Sequence, residues 1–367
     1  MSDGGMLVPA GPQARILAEQ LSTAMIVCTI AFLIAMACLA AALWWRGRRA
    51  VADGWWLWGG GIVLPVLVFG GLLLHSERQA AQLDAPAPPD ALQVSVTGHL
   101  WWWSMRYADA DEGPGFTTAN ELRVPVGRPV RLTLTSDDVI HSFWVPALGG
   151  KMDLVPGRLN RLTFTADRPG VFRGPCAEYC GTQHAGMVLH VVAMPPEAFA
   201  RWRAAQAAAR PPPTTPTGLR GSHLFSERGC AACHAVRGRL DGPRESLGPD
   251  LTHVAGRLWL GAGTLRNDTP HAALRRWIAD VHQVKPGARM PGYGHLPADE
   301  VDALARYLIG DLALQGLADQ EADRQPDRQP DRHADPSADA AAPPSAGFKR
   351  GTVAAVPVPS LTPSPIR

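Results

Sequence analysis

The sequence predicts a multidomain chain: a two-helix transmembrane hairpin, an all-β domain, an all-α domain and a disordered C-terminal tail. Three observations carry that expectation. Two uncharged runs, Leu21 to Trp45 and Gly54 to Leu74, are each long enough to cross a bilayer, which takes about 20 apolar residues. From Ala91 onward apolar residues recur at every second position, the period of half-buried strands. Beyond Thr217 the pattern turns helical around a C-A-A-C-H motif at residues 230–234.

The 367 residues leave room for two or three domains. A formal net charge of +2 gives no reason to expect a polyanionic partner, so nucleic acid is excluded. The six cysteines fall into three pairs: Cys28 with Cys38, Cys176 with Cys180, and Cys230 with Cys233. The first pair lies in an apolar run and reads as small apolar filling. The other two have metal or haem spacing.

Residues 1–20 form an N-terminal segment and residues 21–75 the hairpin. Arg46, Arg48 and Arg49 sit between the apolar runs, and the positive-inside rule puts that connection in the cytoplasm. Both termini then face the periplasm of a bacterium. Trp44, Trp45, Trp55 and Trp56 flank the connection as interfacial anchors. Ser76 to Asp90 reads as a polar, Pro-rich bridge.

The all-β domain is placed at residues 91–199. Leu92 to Thr97, Arg131 to Thr135 and Arg161 to Thr165 alternate apolar with polar residues, and Val188 to Ala193 is a short apolar run. Strands separated by turn residues at this spacing indicate a sandwich or barrel. Trp101, Trp102 and Trp103 read as part of the second strand, with Trp101 and Trp103 on one face.

Within this domain Cys176 to Met187 reads C-A-E-Y-C-G-T-Q-H-A-G-M. Thiolate, imidazole and thioether together favour copper over magnesium or calcium. Gly181, Gly186 and Gly174-Pro175 indicate a loop rather than a helix. A disulfide between Cys176 and Cys180 would leave His184 and Met187 without a role, and structural zinc sites use Cys and His without Met.

The pattern C-x-E-x-C-x-x-x-H-x-x-M resembles the binuclear copper (CuA) loop of cytochrome c oxidase subunit II, and His141 in D-D-V-I-H-S-F-W-V-P matches that family's upstream histidine. The resemblance covers about residues 20–200. It implies a cupredoxin-like Greek-key domain holding two copper ions. Cys176 and Cys180 would bridge them, His141 and His184 would be terminal ligands, Met187 a weak ligand, and Glu178 a ligand through its backbone carbonyl. It further implies a magnesium ion at the Glu178 side chain, on a surface facing the catalytic subunit that includes Lys151 to Asn160. The motif G-H-x-W-x-W singles out Trp101 as the exposed ring through which electrons arrive. One departure concerns protons. Relatives often carry a glutamate early in the second helix, whereas this chain reads Trp55-Trp56-Leu57-Trp58-Gly59-Gly60, with Asp53 the nearest acid.

Residues 200–217 read as an Ala-rich segment followed by a stiff Pro-rich linker. The all-α domain is placed at 218–314. C-x-x-C-H is the c-type haem attachment motif, in which Cys230 and Cys233 bind the haem covalently and His234 is the proximal iron ligand. Gly248 to Leu251 resembles the loop supporting that histidine in small, class I cytochromes c, and Met290 is placed like their distal methionine. Helix signals run from Thr269-Pro270 to Asp280. A second helix, Pro297 to Leu308, puts Val301, Leu304, Ala305 and Leu308 on one face. Residues 315–367, with D-R-Q-P-D-R-Q-P-D-R, cannot bury a core and are expected to be disordered.

The chain is thus expected to resemble subunit II of a caa-type haem–copper oxidase, with cytochrome c fused at its C-terminus. Such a protein is an integral membrane protein of the bacterial inner membrane. It would pass electrons from a periplasmic cytochrome c or other donor, through haem c and copper, to haem in subunit I, beside subunit III. There oxygen is reduced with proton pumping. An electron-input subunit of a copper-containing nitric oxide reductase is the alternative that shares the copper motif.

Overall fold

A computed structural model describes residues 5–44, 54–108, 114–239 and 247–310. The Arg46, Arg48 and Arg49 connection, Asp53 and the C-terminal tail lie outside these residues.

The two apolar runs form helices longer than the runs themselves. Helix α1 spans Pro12–Trp44. A π-helical stretch, Trp55–Val63, leads into α2, Leu64–Leu83. Both spans are long and apolar enough to cross a membrane, and their apolar side chains point outward. Cys28 and Cys38 lie on the outward-facing surface of α1. Helix α2 continues through Ser76, into the stretch expected to be a bridge, because Ser-Glu-Arg-Gln-Ala-Ala-Gln-Leu contains no breaker before Asp84. The start of α1 is fixed to the β domain. The Thr165 amide donates to Gln13 Oε1 at 3.1 Å, and Arg15 pairs with Asp167 at 2.7 Å.

Ten strands follow: β1 Leu92–His99, β2 Trp102–Tyr107, β3 Phe116–Ala119, β4 Glu121–Pro125, β5 Val130–Ser136, β6 His141–Phe143, β7 Met152–Leu154, β8 Asn160–Phe164, β9 Gly170–Pro175 and β10 Val188–Met194. They form a five-stranded sheet, β3-β2-β1-β5-β8, a three-stranded sheet, β4-β10-β9, and the β6-β7 pair. Strands β1 and β5 run parallel, as do β4 and β10. Val94, Val96, Leu132 and Leu134 from the larger sheet and Leu122, Val124, Leu189 and Val191 from the smaller belong to one buried core. The alternation along β1 and β5 is that of sheets with one wet face.

Trp101 departs from the sequence expectation. It lies in the turn before β2, so strand alternation does not set its direction. Trp103 is the core residue of the three and is fully buried, while Trp101 and Trp102 are half-buried.

Helix α3, Pro196–Ala207, packs on the β domain. Phe199 and Arg203 are buried, Trp202 meets Tyr107 and Phe116 edge-on, and Arg203 donates to the Ala108 carbonyl at 3.0 Å. Residues 200–207 therefore pack with the β domain, although the sequence reading put them in the linker.

The C-terminal domain comprises α4 Pro216–Glu227, the two-residue strands β11 Trp259–Leu260 and β12 Leu265–Arg266, α5 Pro270–Val284 and α6 Ala298–Ile309. Thr215 caps α4 by accepting from the Gly218 amide at 3.1 Å. Val301, Leu304, Ala305 and Leu308 of α6 are all buried, as their spacing requires.

Candidate metal and haem centres

The loop between β9 and β10 closes on itself through turns. The Cys176 amide donates to the Met187 carbonyl at 2.9 Å, and the Met187 amide to the His184 carbonyl at 3.1 Å. This folds the loop so that its sulfurs meet. Cys176 Sγ and Cys180 Sγ lie 3.9 Å apart, and Cys180 Sγ is 3.8 Å from Met187 Sδ and 3.6 Å from His184 Nδ1. Cys176 Sγ is 3.9 Å from His141 Nδ1 and 3.3 Å from the Glu178 carbonyl oxygen. Every residue expected at the metal is therefore gathered around two buried sulfurs. The sulfurs are too far apart for a disulfide bond of about 2.05 Å. Two thiolates flanked by two imidazoles, a thioether and a carbonyl fit soft copper ions.

His141 is set by its surroundings. Its Nε2 meets Asp138 Oδ1 at 2.9 Å, which leaves Nδ1 turned to the sulfurs. Such an outer carboxylate fixes ring orientation and tautomer. Burial works against a charged His141, but the Cys176 and Asp138 contacts outweigh it and raise its pKa. Burial likewise pushes Asp138 up, and hydrogen bonds from His141 and the Val139 and Leu100 amides outweigh it, so its carboxyl sits low. The second oxygen of Asp138 accepts from the Leu100 amide at 2.7 Å, joining the histidine to the segment that carries Trp101. Gly98 has no substitute here, since a Cβ would come within 2.6 Å of the His141 ring. Contact with Cys180, followed by hydrogen bonding to His141, holds the Cys176 thiol well below its usual range. The same contact, followed by burial, pushes the Cys180 thiol up.

Trp101 adjoins this loop. Its Nε1 donates to the Cys180 carbonyl at 2.8 Å. Its side also lines a cavity of about 470 Å³ in the C-terminal domain, together with Cys230, Cys233, His234 and Met290. Ligand cavities of about 300–1,000 Å³ hold cofactor-sized molecules. Most of the remaining wall is apolar, with Phe225, Leu274, Ile278 and Leu304 among its residues, and Arg257, Lys285 and Arg289 add charged side chains. His234 Nδ1 meets the Pro249 carbonyl at 2.8 Å, which leaves Nε2 as the free ring nitrogen. Burial lowers the His234 pKa and favours the neutral ring a metal needs. Two thiols, a neutral histidine and a methionine around an apolar cavity fit a covalently attached haem.

A family profile described as cytochrome C oxidase subunit II, periplasmic domain, matches residues 112–194, and one described as cytochrome c matches residues 219–309. Cytochrome c oxidase subunit 2 of Alkalihalophilus pseudofirmus is 36% identical over 247 residues, covering 67% of this chain and 68% of that protein. This chain belongs to the cytochrome c oxidase subunit II family. Subunit 2 of Bacillus sp. (strain PS3) is 35% identical over 238 residues, covering 62% of this chain and 65% of that protein. The chain therefore spans about two thirds of the length of these relatives. Among solved structures, the periplasmic domain of subunit II of the Bradyrhizobium japonicum cytochrome oxidase is 36% identical. It covers 33% of this chain and 96% of that one, with a TM-score of 0.31.

The chain is a subunit II fused to a cytochrome c domain, and so a component of a haem–copper oxidase, an oxidoreductase. Membership implies a CuA copper centre in the β domain, haem c in the helical domain, and assembly with subunit I. With the two apolar helices it indicates an inner-membrane protein with a periplasmic domain.

Asp138 and Lys285 were not legible as site residues. Asp138 lay in the quoted D-D-V-I-H stretch, and its position three residues before His141 was the available signal. Lys285, at the end of α5, carried no sequence signal that separates it from a solvated lysine.

Proposed function

We propose that this chain is the electron-input subunit of its oxidase, relaying electrons from a periplasmic cytochrome c or other donor, through haem c and two copper ions, to haem in subunit I. There oxygen is reduced to water and protons are pumped, with subunit III as a further neighbour. The bound groups supply one-electron redox couples, and the protein supplies their placement. Cys176 and Cys180, with His141, His184, Met187 and the Glu178 carbonyl, would hold the coppers, and Asp138 would orient His141 toward them. Cys230 and Cys233 would hold the haem covalently, and His234 and Met290 would bind its iron. Trp101 lies between the centres and serves as the port to copper. The Glu178 carboxylate, exposed on the loop, is assigned to magnesium at the subunit I interface.

One observation carries this reading. The Trp101 indole bonds to the carbonyl of a sulfur-bearing loop residue, while its side lines the cavity of the C-A-A-C-H motif. The test is rapid reduction of haem c in the purified complex, following copper and oxygen consumption together. Sequential reduction of haem, then copper, supports the relay. Nitric oxide consumption in place of oxygen consumption would transfer the reading to the nitric oxide reductase alternative.

A further inference from the structure

The cytochrome domain meets the copper domain through a small set of polar contacts centred on one buried cation. Lys285 is only 4% exposed. Its Nζ donates to three carbonyls: Trp101 at 2.8 Å, Gly186 at 2.9 Å and Gly261 at 2.8 Å. The first carbonyl belongs to the port segment, the second to the residue before Met187, and the third to the turn of the β11–β12 hairpin. An ammonium has three donors, so this site satisfies all of them. A buried lysine without such partners is strongly disfavoured, and no other side chain offers three donors at the end of a long, narrow stem.

Around the lysine the hairpin itself sits on the copper domain. The Val188 amide donates to the Ala262 carbonyl at 3.0 Å. The Trp259 ring stacks on His190 at 5.2 Å between centroids. The buried Glu121 carboxylate accepts from the Leu258 and Trp259 amides, and Arg123 donates to the Gly256 carbonyl at 2.9 Å. These contacts come from the start of β10 and from β4, so the hairpin is held at several points rather than hinged at one.

We infer that Lys285 is a positioning residue that latches the haem domain onto the Trp101 face of the copper domain, making the fused cytochrome the resident donor at that face. This rests on the relay reading above. Its consequence is a division of surfaces. A soluble donor delivers to the haem domain, because the copper-side port is already occupied. The latch acts through geometry. The relay rate scales with the fraction of molecules in which the two centres are docked, as an apparent affinity scales with the competent population.

The test uses the intact oxidase loaded with haem and copper. K285M keeps a long apolar stem and removes all three donors. G263A probes the same interface from the other side with the lysine intact, since its new methyl would meet Val188 Cβ at 2.8 Å. After rapid reduction of haem c, both variants should pass electrons to copper about tenfold more slowly than the parent. The haem content, copper spin signal and both midpoint potentials should stay unchanged, and K285R should recover part of the rate. An unchanged rate in both variants overturns the latch. A shifted copper potential with an unchanged docked rate also overturns it, and makes Lys285 part of the copper site. A parent complex in which reduced haem never reduces copper fails at an earlier step and overturns the relay itself.

Discussion

The indole Nε1 of Trp101 donates to the carbonyl oxygen of Cys180 at 2.8 Å. The proposed port is thereby joined through one hydrogen bond and one residue to a thiolate that the metal would share. That bond also explains why Trp101 is half-buried: its polar edge is turned inward, as a buried indole requires.

Replacing Trp101 with Phe keeps a ring and removes the donor. Copper content and the copper spectrum should persist, while reduction of copper by haem c slows in stopped-flow measurements. The stability cost should be that of one hydrogen bond, about 0.5–1.5 kcal/mol. A loss as large as a core truncation, with normal reduction kinetics, would leave Trp101 as packing only.

Asp138→Asn tests the outer contact on His141. The amide keeps the size of the carboxylate but changes its charge and can present a donor to Nε2. Copper affinity should fall by about 10–100-fold, read by competition with a chelator of known affinity. Unchanged affinity would mean that packing against Trp103 and Gly98 alone orients the ring.

Phe199→Ala tests the place of helix α3. Phe199 is 3% exposed and belongs to the core of the β domain. Its truncation should cost about 3–5 kcal/mol, seen as an early melt of the copper domain in calorimetry. A melt no different from the parent would return residues 200–207 to the linker.

Met290→Ala should leave the haem attached, since on the proposed reading the thioether bonds would be those of Cys230 and Cys233, and should lower the haem potential. Equilibrium redox titration of the haem band measures it. A potential equal to the parent would assign the axial position to another residue.

Much of this architecture was legible because it rests on short-range patterns. The apolar runs, the alternation in β1 and β5, and the face of α6 each repeat with a fixed period. The copper loop was legible because its chemistry is packed into twelve residues, and His141 because a family motif pointed to it. What escaped depended on long-range contact. Trp101 was read onto a strand because alternation was extended one residue too far toward the turn. Helix α3 was split from the β domain because an Ala- and Arg-rich segment looks solvated until Phe199, Trp202 and Arg203 find their partners. Lys285 escaped for a deeper reason. Its three acceptors come from positions 101, 186 and 261, which no local window contains.

Helix α3 ends at Ala207 and α4 begins at Pro216, so residues 208–215 are the whole tether between two packed domains. Fully stretched, that length spans at most about 28 Å. A donor confined to such a radius meets its acceptor at an effective concentration on the order of millimolar, whatever the bulk concentration of soluble cytochrome. On the proposed relay, delivery to copper is therefore first-order and indifferent to dilution. Scarcity of external donor changes how often the haem is refilled, and leaves the hop from haem to copper at its own pace.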